Sequence, residues 1–263
     1  MFYGTVEYQQ GMNMEEFARE VEQGLLRYKV LHITGVDPNQ DLRAFYDALT
    51  DALGECYLLA EDAVTNSRTG EKWMEVRFDP SIPNAYRHSA NPQPLHTDGS
   101  YIGNQAPLTF MFCINRAPSG GETTFVDSDD LIALLQEHDP ELLRELREVE
   151  IHFARTGDEK RRRIIDEDDQ GTRLNWNYYC LAPGQDERVE NLRQRFFDFN
   201  ERVVMKSDRV LAIPLDPGEA VAFKDERILH GRNGFVAHQV NDRHLMKAMW
   251  APRVLMGEGA AAG

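Results

Sequence analysis

The chain has 263 residues, 41% of them hydrophobic and 10% aromatic, which is enough to bury the core of one large domain. A net charge of −15, from 44 acidic and 29 basic residues with no long Lys/Arg run, argues against a nucleic-acid binder. Cys56, Cys113 and Cys180 fit neither a disulfide framework nor a zinc spacing, and no apolar run reaches membrane-spanning length; reduced thiols in the cytoplasm are expected.

The N-terminus, MFYGTVEYQQGMNMEEF, has no basic segment followed by an apolar one, so no export signal is expected. From Asn13, a capping residue, early glutamates and apolar positions at Phe17, Val21 and Leu25 predict an amphipathic helix. KVLHITGV reads as a short strand ended by glycine, and DLRAFYDALTDAL as a second helix. From Trp73 the character changes. WMEVRF, LTFMFCINR, ETTFVD, VEIHFAR, RVLAIPL, EAVAFK and HLMKAMW are short β-branched or aromatic runs divided by Pro, Gly and Asp turns. Helical spacing interrupts them at SDDLIALLQEHDPELLRELR and ERVENLRQRFFDFNERV. The expected architecture is mainly β, a double-sheet jelly roll with flanking helices in a single domain. Its parts would be N-terminal elements over 1–72, a core over about 73–253 and a tail over 254–263. The charged segment from Thr156 to Tyr179 reads either as a solvated strand pair or as a lid, since long loops on rigid scaffolds tend to carry function.

PQPLHTDGSY places His96 and Asp98 two residues apart, and side chains at i and i+2 of a strand share a face. The pair can converge on one metal ion, or form an ordinary hydrogen-bonded surface pair. His230, in KDERILHGRNGF, follows a strand-like run and precedes glycine, a strand end that could sit at the mouth of the roll. Two histidines and one carboxylate occupy one face of an octahedral ion and leave the other open, as a non-haem Fe(II) that binds a cosubstrate and dioxygen requires. A chelating α-keto acid supplies electrons, and its far carboxylate calls for a guanidinium. Arg243 follows His230 at a distance that allows the chain to turn and return on a neighbouring strand. Thr123, just after a glycine pair, offers a hydroxyl to the same carboxylate. Taken singly, Arg243 also reads as a surface ion-pair residue and Thr123 as an ordinary strand residue.

Together these residues resemble the Fe(II)- and 2-oxoglutarate-dependent oxygenases of the taurine dioxygenase and clavaminate synthase group. The likeness rests on H-T-D at His96 to Asp98, G-G-E-T at Gly120 to Thr123, H-G-R at His230 to Arg232, and Arg243. It implies a double-stranded β-helix, His96, Asp98 and His230 as iron ligands, and Arg243 with Thr123 holding 2-oxoglutarate. The segment from Asp225 to Lys247 is similar to the bacterial amino-acid hydroxylases of that group. Those enzymes carry a further basic residue four positions beyond the 2-oxoglutarate arginine, where this chain has Lys247. Asp98 departs from the related halogenases, which lack the carboxylate, so the resemblance implies hydroxylation or another oxidative outcome with Fe(II), 2-oxoglutarate and O2.

Tyr101, Arg232, Trp176 and Lys247 are the candidate substrate contacts. Three of them have a plainer reading: Tyr101 as core, Arg232 as a salt bridge, Trp176 as one face of a strand. The expected substrate is a small polar molecule, a free amino acid or a derivative. Desaturation, cyclisation or cleavage by the same iron chemistry, a metal-binding sensor without turnover, and metal-assisted hydrolysis remain as other readings. The oligomeric state is not legible.

Overall fold

In the computed structural model, which describes residues 1–256 apart from 63, 66 and 83–85, two β-sheets face each other with helices on both outer sides. Of the expected tail, Arg253–Met256 form a short helical turn, and 257–263 lie outside the described residues.

The helices begin where capping chemistry allows. Met14–Arg27 starts at Asn13, whose Oδ1 accepts from the Glu16 N–H at 2.9 Å, and Leu42–Leu53 starts at Asp41, which accepts from the Ala44 N–H at 2.9 Å. The run expected as continuous helix from Ser128 is two helices, Ser128–His138 and Pro140–Glu148. Proline fits the first turn of a helix but not its interior. The chain therefore restarts at Pro140, with Asp139 capping the Leu142 N–H at 2.9 Å.

The larger sheet runs in the order Tyr3–Glu7, Val30–Thr34, Ala220–Phe223, Leu108–Asn115, His244–Pro252 and Gly54–Tyr57, and Met74–Arg77 also pairs with His244–Pro252. The smaller sheet runs Leu211–Ile213, Thr123–Asp127, Ile228–Arg232, Gln93–His96. This is the two-sheet jelly roll that the strand pattern predicts. Three strands of the larger sheet come from the segment before Trp73, so the N-terminal elements extend the sheet.

Alternation along the strands sorts the side chains into layers. Phe110, Phe112, Met246, Ala248 and Trp250 face the helices Met14–Arg27 and Leu42–Leu53. On the other face Met111, Cys113, Val221, Phe223 and Leu245 meet Phe125 and Ile228 of the smaller sheet. Val126, Leu229 and Leu95 point outward from the smaller sheet, onto Ser128–His138, Pro140–Glu148 and Glu187–Arg202. Phe110, Phe112, Phe125 and Trp250 are fully buried, each stabilising the fold by about 1.5–3 kcal/mol.

The charged segment forms strands. Asp158–Arg163 closes a hairpin with Glu150–Arg155, and Ile165–Asp168 pairs with Gly171–Leu174.

Candidate metal centre

The same alternation aims the polar residues at the space between the sheets. Ile228, His230 and Arg232 share one face of their strand, and Ile228 belongs to the inter-sheet core. His230 is paired directly with His96 on one side and Phe125 on the other, and Arg232 is paired with Thr123. In the larger sheet Leu245, Lys247 and Met249 lie opposite Cys113, Met111 and Thr109, all on the inner face.

One ligand atom each from His96, Asp98 and His230 lies within 4.8 Å of the others. His96 Nε2 is 3.7 Å from Asp98 Oδ1, His230 Nε2 is 3.5 Å from Asp98 Oδ2, and the two imidazole centroids are 4.2 Å apart. His96 Nδ1 lies 2.9 Å from the Pro94 carbonyl, which can only accept, so Nδ1 carries the proton and Nε2 keeps its lone pair. His230 Nδ1 faces Asp225 Oδ1 at 3.4 Å, which leaves its Nε2 as a ligand too. Burial, reinforced by His96, holds the His230 imidazole well below its usual range and therefore neutral, as metal ligation requires. This donor set of two imidazoles and one carboxylate fits a divalent iron.

Asp98 is held from three directions. Its backbone N–H donates to Asp225 Oδ1 at 2.9 Å, Thr109 Oγ1 donates to its Oδ2 at 3.2 Å, and the Lys247 ammonium pairs with the same oxygen. Burial pushes the Asp98 carboxyl up, but Lys247, His230 and His96 outweigh it and keep the group ionised, well below its ordinary range. Two carboxylate oxygens offer about four lone-pair positions, enough for an ion and an ammonium together.

Asp225 is the residue that spacing did not reveal. It is buried in a short helical turn ahead of the His230 strand, and it ties His230, the Asp98 backbone and Gln105 together; Gln105 Nε2 donates to Asp225 Oδ2 and to the Asp98 carbonyl, both at 2.7 Å. Burial and the neighbouring Asp98 charge push the Asp225 carboxyl well up. The available signal was an acidic residue five positions before the histidine, which has no periodic meaning in a turn.

Thr123 and Arg243 line one narrow cleft with Cys113, Gly121, Leu215 and Leu245. Arg243 is 5% exposed, and its only hydrogen bond among the described residues is from Nε to the Gly121 carbonyl at 3.1 Å. Its terminal nitrogens therefore remain for a carboxylate. Burial pushes the guanidinium down to about 10, still charged at neutral pH. Gly121 has φ of 79°, and a Cβ there would stand 3.0 Å from Arg243 Nε, so the glycine makes room for the arginine.

The other predicted residues lie at the walls. Arg232 Nη2 donates to the carbonyls of Tyr86, Ser89 and Asn91 at 3.1, 2.9 and 2.6 Å, clamping the loop that leads into the His96 strand. Tyr101 is buried, with its hydroxyl donating to Glu61 Oε1 at 2.7 Å. Trp176 lies in the helix-side core against Phe196, and its backbone brackets Thr97, whose N–H donates to the Trp176 carbonyl at 2.6 Å.

The family model of the taurine catabolism dioxygenase TauD, TfdA family, matches residues 5–249. The chain belongs to this family. Among its curated relatives in sequence, a gamma-butyrobetaine dioxygenase of Homo sapiens is 22% identical over 253 residues, covering 92% of this chain and 62% of the human protein. The chain thus spans about three fifths of that relative's length. A uridine-5'-phosphate dioxygenase of Amycolatopsis sp is 26% identical over 236 residues, covering 81% of this chain and 80% of the relative. Among solved structures, an asparagine oxygenase with Fe(II), 3-hydroxyasparagine and succinate superposes with a TM-score of 0.70 at 13% identity, covering 94% of this chain and 93% of that one. The non-haem iron oxygenase OrfP with Fe and α-ketoglutaric acid superposes at 0.63 and 17% identity, covering 90% and 78%. These likenesses place this member of the TauD, TfdA family on the jelly-roll fold. Among its described residues, no helix is long and apolar enough to cross a membrane.

Proposed function

We propose that the protein is an Fe(II)- and 2-oxoglutarate-dependent dioxygenase that hydroxylates an unactivated C–H bond of a small polar metabolite, a free amino acid or a derivative. The observation that carries this reading is the convergence of His96, Asp98 and His230, with His96 Nδ1 held by the Pro94 carbonyl and His230 Nδ1 turned toward Asp225. The relatives' names, which speak of gamma-butyrobetaine, uridine 5'-phosphate and hydroxyasparagine, support a small polar substrate.

His96, Asp98 and His230 would hold the iron. Arg243, through its free terminal nitrogens, and Thr123, through its hydroxyl, would hold the far carboxylate of 2-oxoglutarate. Bound iron and 2-oxoglutarate supply the oxidising chemistry, in which O2 gives one atom to succinate and one to the substrate, with release of CO2. Asp225 orients His230. Lys247, facing the triad from the larger sheet, stands on the substrate side. Arg232, Tyr101 and Trp176 support the walls by fixing the loops that carry them.

Three N-terminal strands in the same sheet as Lys247 support reading the chain as one oxygenase domain. Three free cysteines, with the buried Cys113 thiol pushed up to about 12 by its burial, support a reducing compartment, the cytoplasm. The test is anaerobic titration of the apoprotein with Fe(II) and then 2-oxoglutarate, followed by the weak visible charge-transfer band of the chelate. The band is expected in the parent and weakened in His230→Ala and Arg243→Ala. A folded protein that binds iron without any band would refute the reading and favour a sensor or a hydrolase.

A further inference from the structure

The hairpin of Glu150–Arg155 and Asp158–Arg163 turns one face toward the jelly roll. Phe153 and Ile151 on that face are fully buried, and across from them stand Lys160 and Arg162; Asp158 pairs with Arg155. Three of the four charged residues on this face meet a partner of opposite charge. Arg155 approaches Glu61 Oε2 at 3.8 Å, Asp158 pairs with Arg68 at 2.8 Å, and Arg162 pairs with Glu226 at 2.5 Å. Among the described residues Lys160 makes no hydrogen bond or ion pair, although it is half-buried between Asp158 and Arg162.

The partners locate it. Glu61 accepts the hydroxyl of Tyr101, three residues beyond Asp98, and Glu226 adjoins Asp225, which binds the Asp98 N–H. Both ends of the hairpin face are thus fastened to groups that flank Asp98. Asp158 and Arg162 are four residues apart, or about 13 Å along a strand, which puts Lys160 midway, about 7 Å from either fastening. Arg162 and Arg173 already share the carboxylate of Glu226. Burial first, and then Arg162, push the Lys160 ammonium down to about 8; Arg173 adds to this, and Glu226 and Asp225 oppose it without reversing it. Within this ring of charges the place beside Lys160 lacks one anion.

We propose that Lys160 is a binding residue for an oxyanion, a carboxylate or phosphate group of the small-molecule substrate, presented to it beneath the charged hairpin. The proposal rests on the oxygenase reading. It narrows the substrate to molecules that carry an anionic group at the end reaching the hairpin. A lysine serves here as a compact point charge that accepts either oxyanion.

The test uses the intact chain, loaded anaerobically with Fe(II) and 2-oxoglutarate at neutral pH. Acetylation of each lysine by a limiting acylating reagent is timed by peptide mass spectrometry, alone and with millimolar inorganic phosphate or L-glutamate. An oxyanion beside the ammonium raises its pKa by about one unit, so the reactive neutral amine at Lys160 falls roughly tenfold. Selective slowing at Lys160, with the other lysines unchanged, is the expected result; which probe protects tells phosphate from carboxylate. Equal Lys160 rates with and without both probes would overturn the assignment. The charge-transfer band is recorded in the same samples. A band without protection refutes Lys160 alone, whereas protection without a band refutes the oxygenase reading and leaves the anion site standing.

Discussion

Asp225→Asn tests whether the metal centre depends on a residue outside it. Asp225 Oδ1 accepts from the Asp98 N–H at 2.9 Å and faces His230 Nδ1 at 3.4 Å, and Oδ2 accepts from Gln105 Nε2 at 2.7 Å. Two of these neighbours, the Asp98 N–H and Gln105 Nε2, donate to it. An asparagine keeps one acceptor and turns an NH2 group against at least one donor. Gln105 cannot relieve the conflict by rotating its amide, because the same Nε2 also donates to the Asp98 carbonyl at 2.7 Å. The substitution is isosteric, so the core stays filled while the orientation of His230 or of the Asp98 backbone is lost. Removing a hydrogen-bond partner of a metal ligand costs about 10–100-fold in metal affinity, or about 1.4–2.7 kcal/mol. The assay is anaerobic competition for Fe(II) against a chelator, with thermal unfolding of the apoprotein as the control for folding. An Asp225→Asn protein that binds Fe(II) within about twofold of the parent, while His230→Ala does not bind, would refute the reasoning.

Other outcomes follow from the same geometry. Arg243→Met, which keeps the packing volume, is expected to weaken 2-oxoglutarate by about 2–5 kcal/mol, seen as a shifted midpoint of the band, with Fe(II) binding preserved. Glu226→Gln removes the charge shared by Arg162 and Arg173; faster amide hydrogen exchange over 158–174, corresponding to about 1–3 kcal/mol of local opening, is expected. Lys160 also sets a pH dependence. Its folded pKa lies below its unfolded value, so between about 8 and 10.5 the unfolded chain binds more protons and stability rises with pH. Denaturant unfolding of the parent and Lys160→Met should therefore show the parent gaining on the variant across that window, and a constant difference would contradict the assigned burial. Oxyanion binding at Lys160 has the opposite trend, complete below about pH 8 and lost above it.

Periodicity and local chemistry made much of the protein legible before any fold was known. Asn13 and Asp41 announced their helices because a cap is made with backbone only three residues away. His96 and Asp98 could be read as neighbours able to meet one ion, although the strand ends at His96 and it is the turn beyond, not the pleat, that brings Asp98 back to it; Arg243 and Thr123 could be joined to them through their order in the chain. The break at Pro140 carried its own cause, although the apolar spacing on both sides concealed it. Sheet register alone brought His230 opposite His96, and the inward face of His244–Pro252 carried Lys247 to Asp98. Asp225 orients a strand residue, His230, and the turn that carries Asp98 from a turn with no repeating pattern, and Glu61 and Glu226 fasten a hairpin far away in sequence. A residue's own neighbours determine whether it can form a helix or strand, and these were written in the sequence. Which charges find a partner and which, like Lys160 among the described residues, do not is decided by segments that meet only after the chain has closed, since Coulomb and hydrogen-bond energies depend on distance in space rather than along the chain.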